Sequence, residues 1–195
     1  MKQINSFDIS DVLELNSSKS YAKIPPLYIR QINSPLGNMI AIGDEAGVYF
    51  FGFDDQRHVD RDIKNLVEGT KRPLCLEQLS VLVQLEDELH DYFDGRLKEF
   101  KTPLIMRGTP FQNEVWTDLK NVSYGTTLSY LEQAKRLERY RSYRAVANAN
   151  GRNPFIIMVP CHRVIASNGS LGGYGAGLER KKQLLRLESD NRLDI

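Results

Sequence analysis

Cysteine and histidine are both scarce in this 195-residue sequence, which contains only Cys75, Cys161 and three histidines. A chain of this length can bury a core that is stable without a disulfide, so we expect both thiols to be free. Free thiols are typical of the reducing interior of a cell. Because His58, His90 and His162 have no metal-ligand spacing to either cysteine, we expect no metal site.

The sequence also lacks long apolar runs and a recognisable leader. No apolar stretch is long enough to span a bilayer, so no membrane partner is expected. The first six residues do not form a charged segment followed by an apolar one, which argues against export. We therefore expect a cytoplasmic protein, located inside the cell.

The net charge is small, at +1, but its distribution along the chain is uneven. From Lys101 onward there are 15 basic and 8 acidic residues, a balance of +7, whereas the first hundred residues hold 11 and 17, a balance of −6. A positive field favours a polyanion, so the second half is the expected nucleic-acid-binding half. Solvated basic helices give the same imbalance, and both interpretations stay open at this point.

The first half has the pattern of a small α/β domain. Residues 1–26 are polar and are interpreted as an extension. Runs of β-branched and aromatic residues predict three antiparallel strands, Tyr28–Ile32, Met39–Ile42 and Gly47–Phe53. Apolar residues at helical spacing predict a helix over Leu76–Phe93, which Asp94-Gly95 ends. We therefore predict an N-terminal domain over residues 27–95 and a linker over residues 96–108.

The second half, residues 109–195, has the pattern of a mostly helical domain, so the predicted fold class is α+β. Two capping boxes, Thr109–Gln112 and Ser129–Glu132, mark helix starts, and Ser142 is predicted to cap a further helix, Tyr143–Asn150. Two short helices joined by a tight connection are typical of a helix-turn-helix, whose second helix reads DNA. A helical hairpin with a solvated basic face is the open alternative.

Cys161 is the candidate for chemistry. It follows an apolar run, Phe155–Val159, that is interpreted as a buried extended segment, and it precedes His162 and Arg163. The thiolate is the reactive form of cysteine, and a nearby imidazole or positive charge lowers the thiol pKa. A small, buried and inert cysteine is the alternative. Neighbouring residues of an extended segment point to opposite faces, so the Cys-His dipeptide alone does not make a pair.

The hexapeptide Pro160–Ile165 closely resembles the signature of the O6-alkylguanine-DNA alkyltransferase family. The resemblance extends in register from Thr109 to about Glu188. The matching segments are Gly108-Thr109-Pro110-Phe111-Gln112, Val115-Trp116, Ser129-Tyr130, Arg144-Ala145-Val146, Asn153-Pro154, and Gly172, Tyr174 and Gly177 of a glycine-rich loop. The strand-rich first domain matches the family less specifically, and residues 1–26 lie outside the resemblance.

The resemblance implies a fold, a partner and a reaction. Members combine a small ribonuclease H-like N-terminal domain with a winged-helix-like C-terminal domain that contains a helix-turn-helix. The implied partner is double-stranded DNA with an alkylated guanine, bound by a monomer that needs no cofactor. The implied reaction moves the alkyl group from O6 of guanine, and possibly O4 of thymine, irreversibly to the protein's own cysteine. The nucleotide must first rotate out, because a thiolate cannot reach the alkyl carbon in line within the base stack.

The resemblance also implies roles for four residues of the reaction centre. Cys161 is the nucleophile, His162 accepts the thiol proton through a water, Glu188 orients His162, and Tyr130 hydrogen-bonds the guanine ring nitrogen. For Glu188 the sequence gives separate support, because this residue lies three positions after Leu185 on the apolar face of the last helix. An unpaired carboxylate is costly on such a face. A surface glutamate at a helix end is the alternative.

Further residues are assigned to DNA and to the base pocket in the same way. Arg144 is implied to intercalate where the base has left, and the neighbouring Arg141 and Ser142 are expected to contact DNA. Asn153 is implied to brace the turn before the active-site segment. The implied pocket consists of the ring of Tyr174 and the backbone near Val164, Gly175 and Ala176.

The sequence departs from the family pattern at a few positions. Glu138 and Tyr140 replace the usual glycine and proline of the helix-turn-helix turn, so this turn is expected to lack a left-handed residue. Ala176 replaces an often-glycine position, which would narrow the pocket for bulky alkyl groups. The zinc ligands of some members are absent.

Three other functions compete with alkyl transfer. Alkyltransferase-like proteins bind the lesion without reacting, but they lack the cysteine that stands at position 161. Methylation-sensing regulators carry a cysteine-rich metal domain and a second helix-turn-helix, for which residues 1–26 are expected to be too short. A cysteine hydrolase needs an oxyanion hole, which an extended Pro-Cys-His segment does not provide.

Overall fold

The computed structural model describes residues 24–190, so most of the polar extension predicted at residues 1–26 lies outside the described residues. Within this range the chain forms two compact units. The first contains residues 24–90 and 101–105, and the second contains residues 91–100 and 106–190. An antiparallel sheet dominates the first unit and helices the second, which confirms the α+β class.

The first unit is built on a four-stranded sheet with the order β3-β2-β1-β4. Strands β1 (Leu27–Ser34), β2 (Gly37–Asp44) and β3 (Gly47–Phe53) form an antiparallel meander, as predicted. A short strand, β4 (Leu74–Cys75), pairs parallel with the start of β1 and was missed, because two residues carry no alternating pattern.

Two helices accompany this sheet. Helix α1 (Val59–Thr70) was not predicted, although its buried residues Val59, Ile63 and Val67 recur every four positions and pack against apolar side chains of the sheet. Helix α2 was predicted from Leu76, but it runs over Ser80–Phe93. Leu76 is 54% exposed and lies before the helix, so the predicted start was wrong by four residues.

The second unit contains four further helices and a two-stranded parallel sheet. The helices are α3 (Pro110–Lys120), α4 (Tyr130–Arg136), α5 (Tyr143–Asn150) and α6 (Leu178–Asp190), and the strands are β5 (Leu128–Ser129) and β6 (Val164–Ile165). Both predicted capping boxes are confirmed: the Thr109 and Ser129 hydroxyls accept from the amides of Gln112 and Glu132, whose side chains accept in return.

The helix after Ser142 has the predicted bounds, but its predicted cap is wrong. The Ser142 side chain makes no capping hydrogen bond, and the backbone of Ser142 has φ −115° and ψ 27°. A capping serine needs an extended backbone to aim its oxygen at the first free amides. A 3₁₀ turn over Tyr140–Ser142 removes that geometry here.

Buried polar side chains join helices α3, α4 and α5. The amide of Asn150 donates to Oε1 of Gln133 at 2.7 Å, and Nε2 of Gln133 donates to the Val115 carbonyl at 3.4 Å. The indole of Trp116 donates to the Ala149 carbonyl at 2.9 Å. Because buried polar groups are costly when unpaired, these bonds favour one arrangement of the three helices.

The turn between α4 and α5 corrects a further expectation. Glu138 adopts the left-handed conformation, with φ 55°, so the turn has its left-handed residue although no glycine is present. The Glu138 amide donates to the Lys135 carbonyl at 3.0 Å and the Arg139 amide donates to the Ala134 carbonyl at 2.7 Å. These bonds form a Schellman-type helix end, and its carbonyl partners offset the steric cost at Glu138.

Replacing Glu138 by glycine is expected to stabilise the protein by about 0.5 kcal/mol. A left-handed non-glycine residue costs about 1–2 kcal/mol, and the greater freedom of glycine in the unfolded chain cancels about 0.4–1 kcal/mol of the gain. Urea denaturation measures the change. Lys135→Gly, on the exposed side of α4, is the control and is expected to destabilise by about 0.5–1 kcal/mol. Equal destabilisation by both glycines would contradict the expectation.

Candidate active site around Cys161

The segment before Cys161 is buried, as predicted, but it is not extended. Residues 156–158 form turns, closed by a hydrogen bond from the Val159 amide to the Phe155 carbonyl at 2.9 Å. Ile157 has φ 71°, a left-handed conformation that is rare for a β-branched residue. The apolar run was therefore interpreted correctly for burial and wrongly for conformation.

The side chain of Asn153 hydrogen-bonds the backbone groups of this segment. Its Nδ2 donates to the Val159 carbonyl at 2.7 Å and to the Phe155 carbonyl at 3.3 Å, and its Oδ1 accepts from the Phe155 amide at 3.0 Å. Nδ2 also lies 3.3 Å from Sγ of Cys161. One buried side-chain amide thus hydrogen-bonds the backbone of the turn and contacts the thiol. The local sequence pattern does not reveal this double role.

Cys161 begins a 3₁₀ turn, Cys161–Arg163, in which all three side chains are buried. The objection that an extended segment points Cys161 and His162 to opposite faces therefore does not apply. Burial raises the pKa of the Cys161 thiol, and the hydrogen bond from Asn153 and the charge of Lys181 act in the lowering direction. The resting group is thus a protonated thiol, and the Asn153 hydrogen bond, the charge of Lys181 and a backbone hydrogen bond favour its thiolate form.

His162 is fully buried and forms a hydrogen-bond contact, with its Nε2 lying 2.9 Å from Oε1 of Glu188. Its other nitrogen, Nδ1, is buried and has no hydrogen-bond partner among the described residues. Burial lowers the pKa of His162, and the charges of Arg163 and Lys181 lower it further, while Glu188 acts in the raising direction. The ring is therefore neutral at physiological pH and can accept a proton at Nδ1.

Glu188 is the centre of a dense set of hydrogen bonds. Arg163 clamps it through Nε to Oε2 and Nη2 to Oε1, both at 2.9 Å, and the Tyr92 hydroxyl donates to Oε1 at 2.8 Å. The Gly125 amide donates to Oε2 at 3.2 Å. Burial acts to raise the pKa of Glu188, but His162 and Arg163 outweigh it and lower the pKa to about 2. The carboxylate is therefore charged at any physiological pH.

The parallel sheet places Tyr130 beside this centre. Pairing of Leu128 with Val164 and of Ser129 with Ile165 aligns the start of helix α4 with the residues after the cysteine turn. The Tyr130 hydroxyl donates to the Gly173 carbonyl at 3.3 Å, and its ring lies so close to Gly172 that a Cβ there would approach within 2.9 Å. Burial and the nearby Cys161 raise the pKa of Tyr130, which keeps the phenol protonated.

Lys181 is a buried lysine that sequence reasoning missed. Its ammonium group donates to the carbonyls of Val164, Leu171 and Gly173, and so connects strand β6 to the glycine-rich loop. Burial lowers its pKa from 10.5 to about 8, and Cys161 acts in the raising direction. Lys181 precedes Glu188 by seven residues, on the same face of α6, so the apolar-face reasoning used for Glu188 would also have found it.

Of the implied pocket residues, Tyr174 and Val164 lie beside the cysteine turn. The Tyr174 ring centroid lies 6.4 Å from that of His162, and the Tyr174 hydroxyl is buried without a hydrogen-bond partner among the described residues. Val164 and Ala176 are buried, whereas Gly175 is exposed. A buried hydroxyl is costly when it has no hydrogen-bond partner. The Tyr174 hydroxyl is therefore a candidate to hydrogen-bond a polar group of a ligand.

The predicted DNA-contacting residues lie elsewhere in the second unit, on its surface. Arg141, Ser142 and Arg144 are all exposed at the start of helix α5. The guanidinium of Arg144 lies 5.7 Å from the ring centroid of Tyr143, which is 43% exposed. This surface is thus basic and partly aromatic, a combination that suits nucleic acid.

Two absences hold for the described part of the chain. Residues 24–190 contain no group of three or more histidine, cysteine or carboxylate side chains that could hold a metal ion. Within the same residues, no helix has the length and apolar character needed to cross a membrane.

Comparison with known proteins gives matches along nearly the whole described chain. The family described as the ribonuclease-like domain of 6-O-methylguanine DNA methyltransferase matches residues 27–106. The DNA-binding domain of the same proteins matches residues 110–190. A methylated-DNA–protein-cysteine methyltransferase of Methanosarcina mazei is 38% identical over 165 residues, which cover 85% of this chain and 99% of the relative. A protein of the same name from Mycobacterium bovis is 51% identical over 102 residues, covering 52% of this chain and 62% of the relative.

Solved structures agree with the sequence matches. The Mycobacterium tuberculosis OGT, crystallised in complex with DNA, superposes with a TM-score of 0.73 at 38% identity, covering 86% of this chain and 96% of that one. The O6-methylguanine-DNA methyltransferase of Pyrococcus kodakaraensis gives a TM-score of 0.61 at 31% identity, with 83% and 98% covered. A ribonuclease-like half, a DNA-binding half and a buried cysteine place the chain in the class of DNA-repair methyltransferases. It belongs to the 6-O-methylguanine DNA methyltransferase family.

Proposed function

We propose that this protein repairs DNA by transferring a methyl or other alkyl group from O6 of guanine irreversibly to its own Cys161. The observation that carries the proposal is the arrangement at the cysteine turn. The buried thiol of Cys161 lies 3.3 Å from the amide nitrogen of Asn153. The next residue, His162, is a buried neutral histidine whose Nε2 contacts Glu188. A small, inert cysteine in an apolar core would not explain these buried, hydrogen-bonded polar side chains. A glutamate on the solvated surface would not explain them either.

The proposed reaction moves one proton and one alkyl group. Nδ1 of His162 accepts the thiol proton through a bridging water, and the Cys161 sulfur then attacks the alkyl carbon. The carbon–sulfur bond forms as the carbon–O6 bond breaks, and the electron pair of that bond stays on the guanine. Tyr130, a protonated phenol, donates to the ring nitrogen and stabilises the departing base. The thioether is stable, so each molecule reacts once.

We further infer that the partner is double-stranded DNA with an extruded base. Exposed Arg141, Ser142 and Arg144 lie at the start of helix α5, where a helix-turn-helix contacts the groove. We assign phosphate or groove contacts to Arg141 and Ser142. We propose that the Arg144 side chain fills the space left by the rotated nucleotide. We keep the predicted division into residues 27–95, a linker over 96–108 and a reactive DNA-binding domain over 109–195 as part of this proposal. A cytoplasmic location suits a DNA-directed protein with free cysteines.

We assign the base pocket to the residues around the cysteine turn. Asn153 holds the turn, the Tyr174 ring forms one wall, and the backbone of Val164, Gly175 and Ala176 faces the base. The buried Tyr174 hydroxyl, which has no hydrogen-bond partner within residues 24–190, supports a polar ligand there. Because Ala176 is buried, its methyl group takes volume near the pocket, and we infer a preference for small alkyl groups. O4-alkylthymine is included as a second substrate.

The test is the mass of the intact protein after incubation with a duplex that carries O6-methylguanine. We expect a gain of one methyl group per molecule, located on Cys161, and no gain in Cys161→Ser. Repetition with a benzyl lesion measures the size preference. Binding without a mass gain would indicate a lesion-recognition protein, and repeated turnover without modification would contradict transfer to the cysteine.

For Arg144→Ala we expect about a tenfold slower reaction with duplex DNA, because the extruded state loses the side chain that stabilises it. The reaction with the free base O6-methylguanine is expected to keep its wild-type rate, since no base has to leave a stack. Single-turnover kinetics with both substrates measure the two rates. Equal losses on both substrates would contradict the assigned role, and Arg152→Ala, which changes an exposed arginine beyond α5, is the matched control.

A further inference from the structure

The hydroxyl of Tyr92 binds the active-site carboxylate, yet the proposed reaction does not use it. Tyr92 is the penultimate residue of helix α2, belongs to the second unit and is fully buried. Its hydroxyl donates to Oε1 of Glu188 at 2.8 Å, across 96 positions of the sequence. The same oxygen faces Nε2 of His162 at 2.9 Å, so Tyr92 is one hydrogen bond removed from the ring that accepts the proton.

The donors around Glu188 have different geometric effects. The guanidinium of Arg163 approaches both carboxylate oxygens and therefore fixes the plane of the group. Two donors from the same guanidinium do not by themselves determine where Oε1 lies relative to His162. The Gly125 amide donates to Oε2, whereas the Tyr92 hydroxyl reaches Oε1 from a different element, helix α2, and constrains the oxygen that faces His162.

We propose that Tyr92 is a positioning residue for alkyl transfer, holding Oε1 of Glu188 against Nε2 of His162. With Oε1 in place, the ring hydrogen stays on Nε2, and Nδ1 remains the unprotonated nitrogen. Nδ1 is the buried nitrogen without a hydrogen-bond partner among residues 24–190, as a proton acceptor must be. This inference rests on the proposed function, in which His162 takes the proton of Cys161.

The surroundings of Tyr92 support a role for the hydroxyl rather than for the ring alone. Its ring packs edge-on against Phe93 and Tyr124, at centroid distances of 5.4 and 6.0 Å, and phenylalanine would keep these contacts. Burial and the charge of Glu188 raise the pKa of Tyr92 well above its usual value, so the hydroxyl stays a donor. The other charged groups near His162 are Arg163 and Lys181, which the Tyr92→Phe change leaves in place.

The chain offers a closely matched control in its first unit. The Tyr49 hydroxyl donates to Asp44 at 2.9 Å, and Arg72 pairs with the same carboxylate at 2.6 Å. Tyr49→Phe thus removes the same chemical bond, from tyrosine to an arginine-paired carboxylate, at a position outside the proposed reaction centre. A general loss of stability affects both variants, whereas a loss of positioning affects only one.

The experiment compares wild type, Tyr92→Phe and Tyr49→Phe at a temperature where all three are folded. The readouts are the single-turnover rate with O6-methylguanine duplex, the affinity for that duplex, and the ¹⁵N resonances of the His162 ring. For Tyr92→Phe we expect a rate about tenfold lower, as for loss of a hydrogen bond to a buried charge. We expect unchanged affinity and a mixture of ring tautomers in place of the Nε2–H form. Tyr49→Phe is expected to match the wild type in all three.

A folded Tyr92→Phe protein with the wild-type rate would overturn the proposal. So would a lower rate with the wild-type tautomer, or an equal loss in Tyr49→Phe. Should Tyr92→Phe not fold, 3-fluorotyrosine at position 92 keeps the packing and changes only the strength of the donor. A shift of the His162 Nε2 resonance is then required, and its absence would contradict the proposal. A wild-type protein that gains no methyl group refutes the proposed function, whereas a reactive wild type with an equally reactive Tyr92→Phe refutes only this inference.

Discussion

Replacing Arg163 by methionine is expected to destabilise the protein by about 3–5 kcal/mol, the usual cost of leaving a buried charge without its partner. The side chains of Arg163 and Glu188 are only 7% and 1% exposed, so water cannot replace the lost guanidinium. Methionine keeps much of the apolar volume, which limits the change to the charge and its hydrogen bonds. Urea denaturation at neutral pH measures the difference.

Two further variants distinguish the effect of breaking the buried ion pair from the effect of removing any arginine. Arg186→Met removes an arginine of helix α6, the helix that carries Glu188, and its side chain is 46% exposed. We expect a change below about 0.5 kcal/mol. In the double variant Arg163→Met and Glu188→Met, no buried charge is left unpaired, so we expect part of the lost stability to return. A loss below about 1 kcal/mol for Arg163→Met alone would indicate that Glu188 is solvated after all.

Acid is expected to remove about 3 kcal/mol of stability through Glu188 alone. Folding lowers the pKa of this carboxyl from 4.5 to about 2, so the unfolded chain binds its proton first as the pH falls. The contribution of Glu188 is therefore complete above about pH 5.5 and disappears as the pH falls to about 2. Burial of His162 lowers its pKa as well, and this acts in the same direction at higher pH, below about 6.5.

The measurement is the free energy of unfolding at several pH values for the wild type and for Glu188→Gln. Other carboxylates, such as Asp44 beside Arg72, titrate in both proteins and cancel in the comparison. We expect a steeper loss between pH 5 and 2 in the wild type, and parallel curves would contradict the assigned pKa.

The starts of two helices could be predicted from the sequence, because the residues that cap them are close together in the chain. Thr109 and Ser129 each satisfy a free amide three residues on, so the capping box and the helix start are contained within four residues. Ser142 has the same residue type but a different backbone, because the 3₁₀ turn before it depends on packing that the local sequence does not determine. Helix α1 was missed although its apolar spacing was present in the sequence.

The candidate site was predictable to a different degree for each residue. Cys161, His162 and Glu188 followed from family resemblance, and the apolar face of the last helix gave separate support for Glu188. Tyr92 gave no such signal, because an aromatic residue at the end of an amphipathic helix has the pattern of ordinary core. Its partner lies 96 residues away, and only the folded chain brings the two together.

The buried turn over residues 155–159, held by Asn153, has a consequence for local dynamics. One amide side chain bonds three backbone groups, namely the Phe155 amide and the carbonyls of Phe155 and Val159, and each carbonyl also accepts from a backbone amide. We expect a segment held in this way to open in one cooperative event, because a single side chain bonds three of its backbone groups. Hydrogen exchange of the amides in this segment therefore reports a single opening equilibrium, and the left-handed Ile157 favours the open state by about 1–2 kcal/mol.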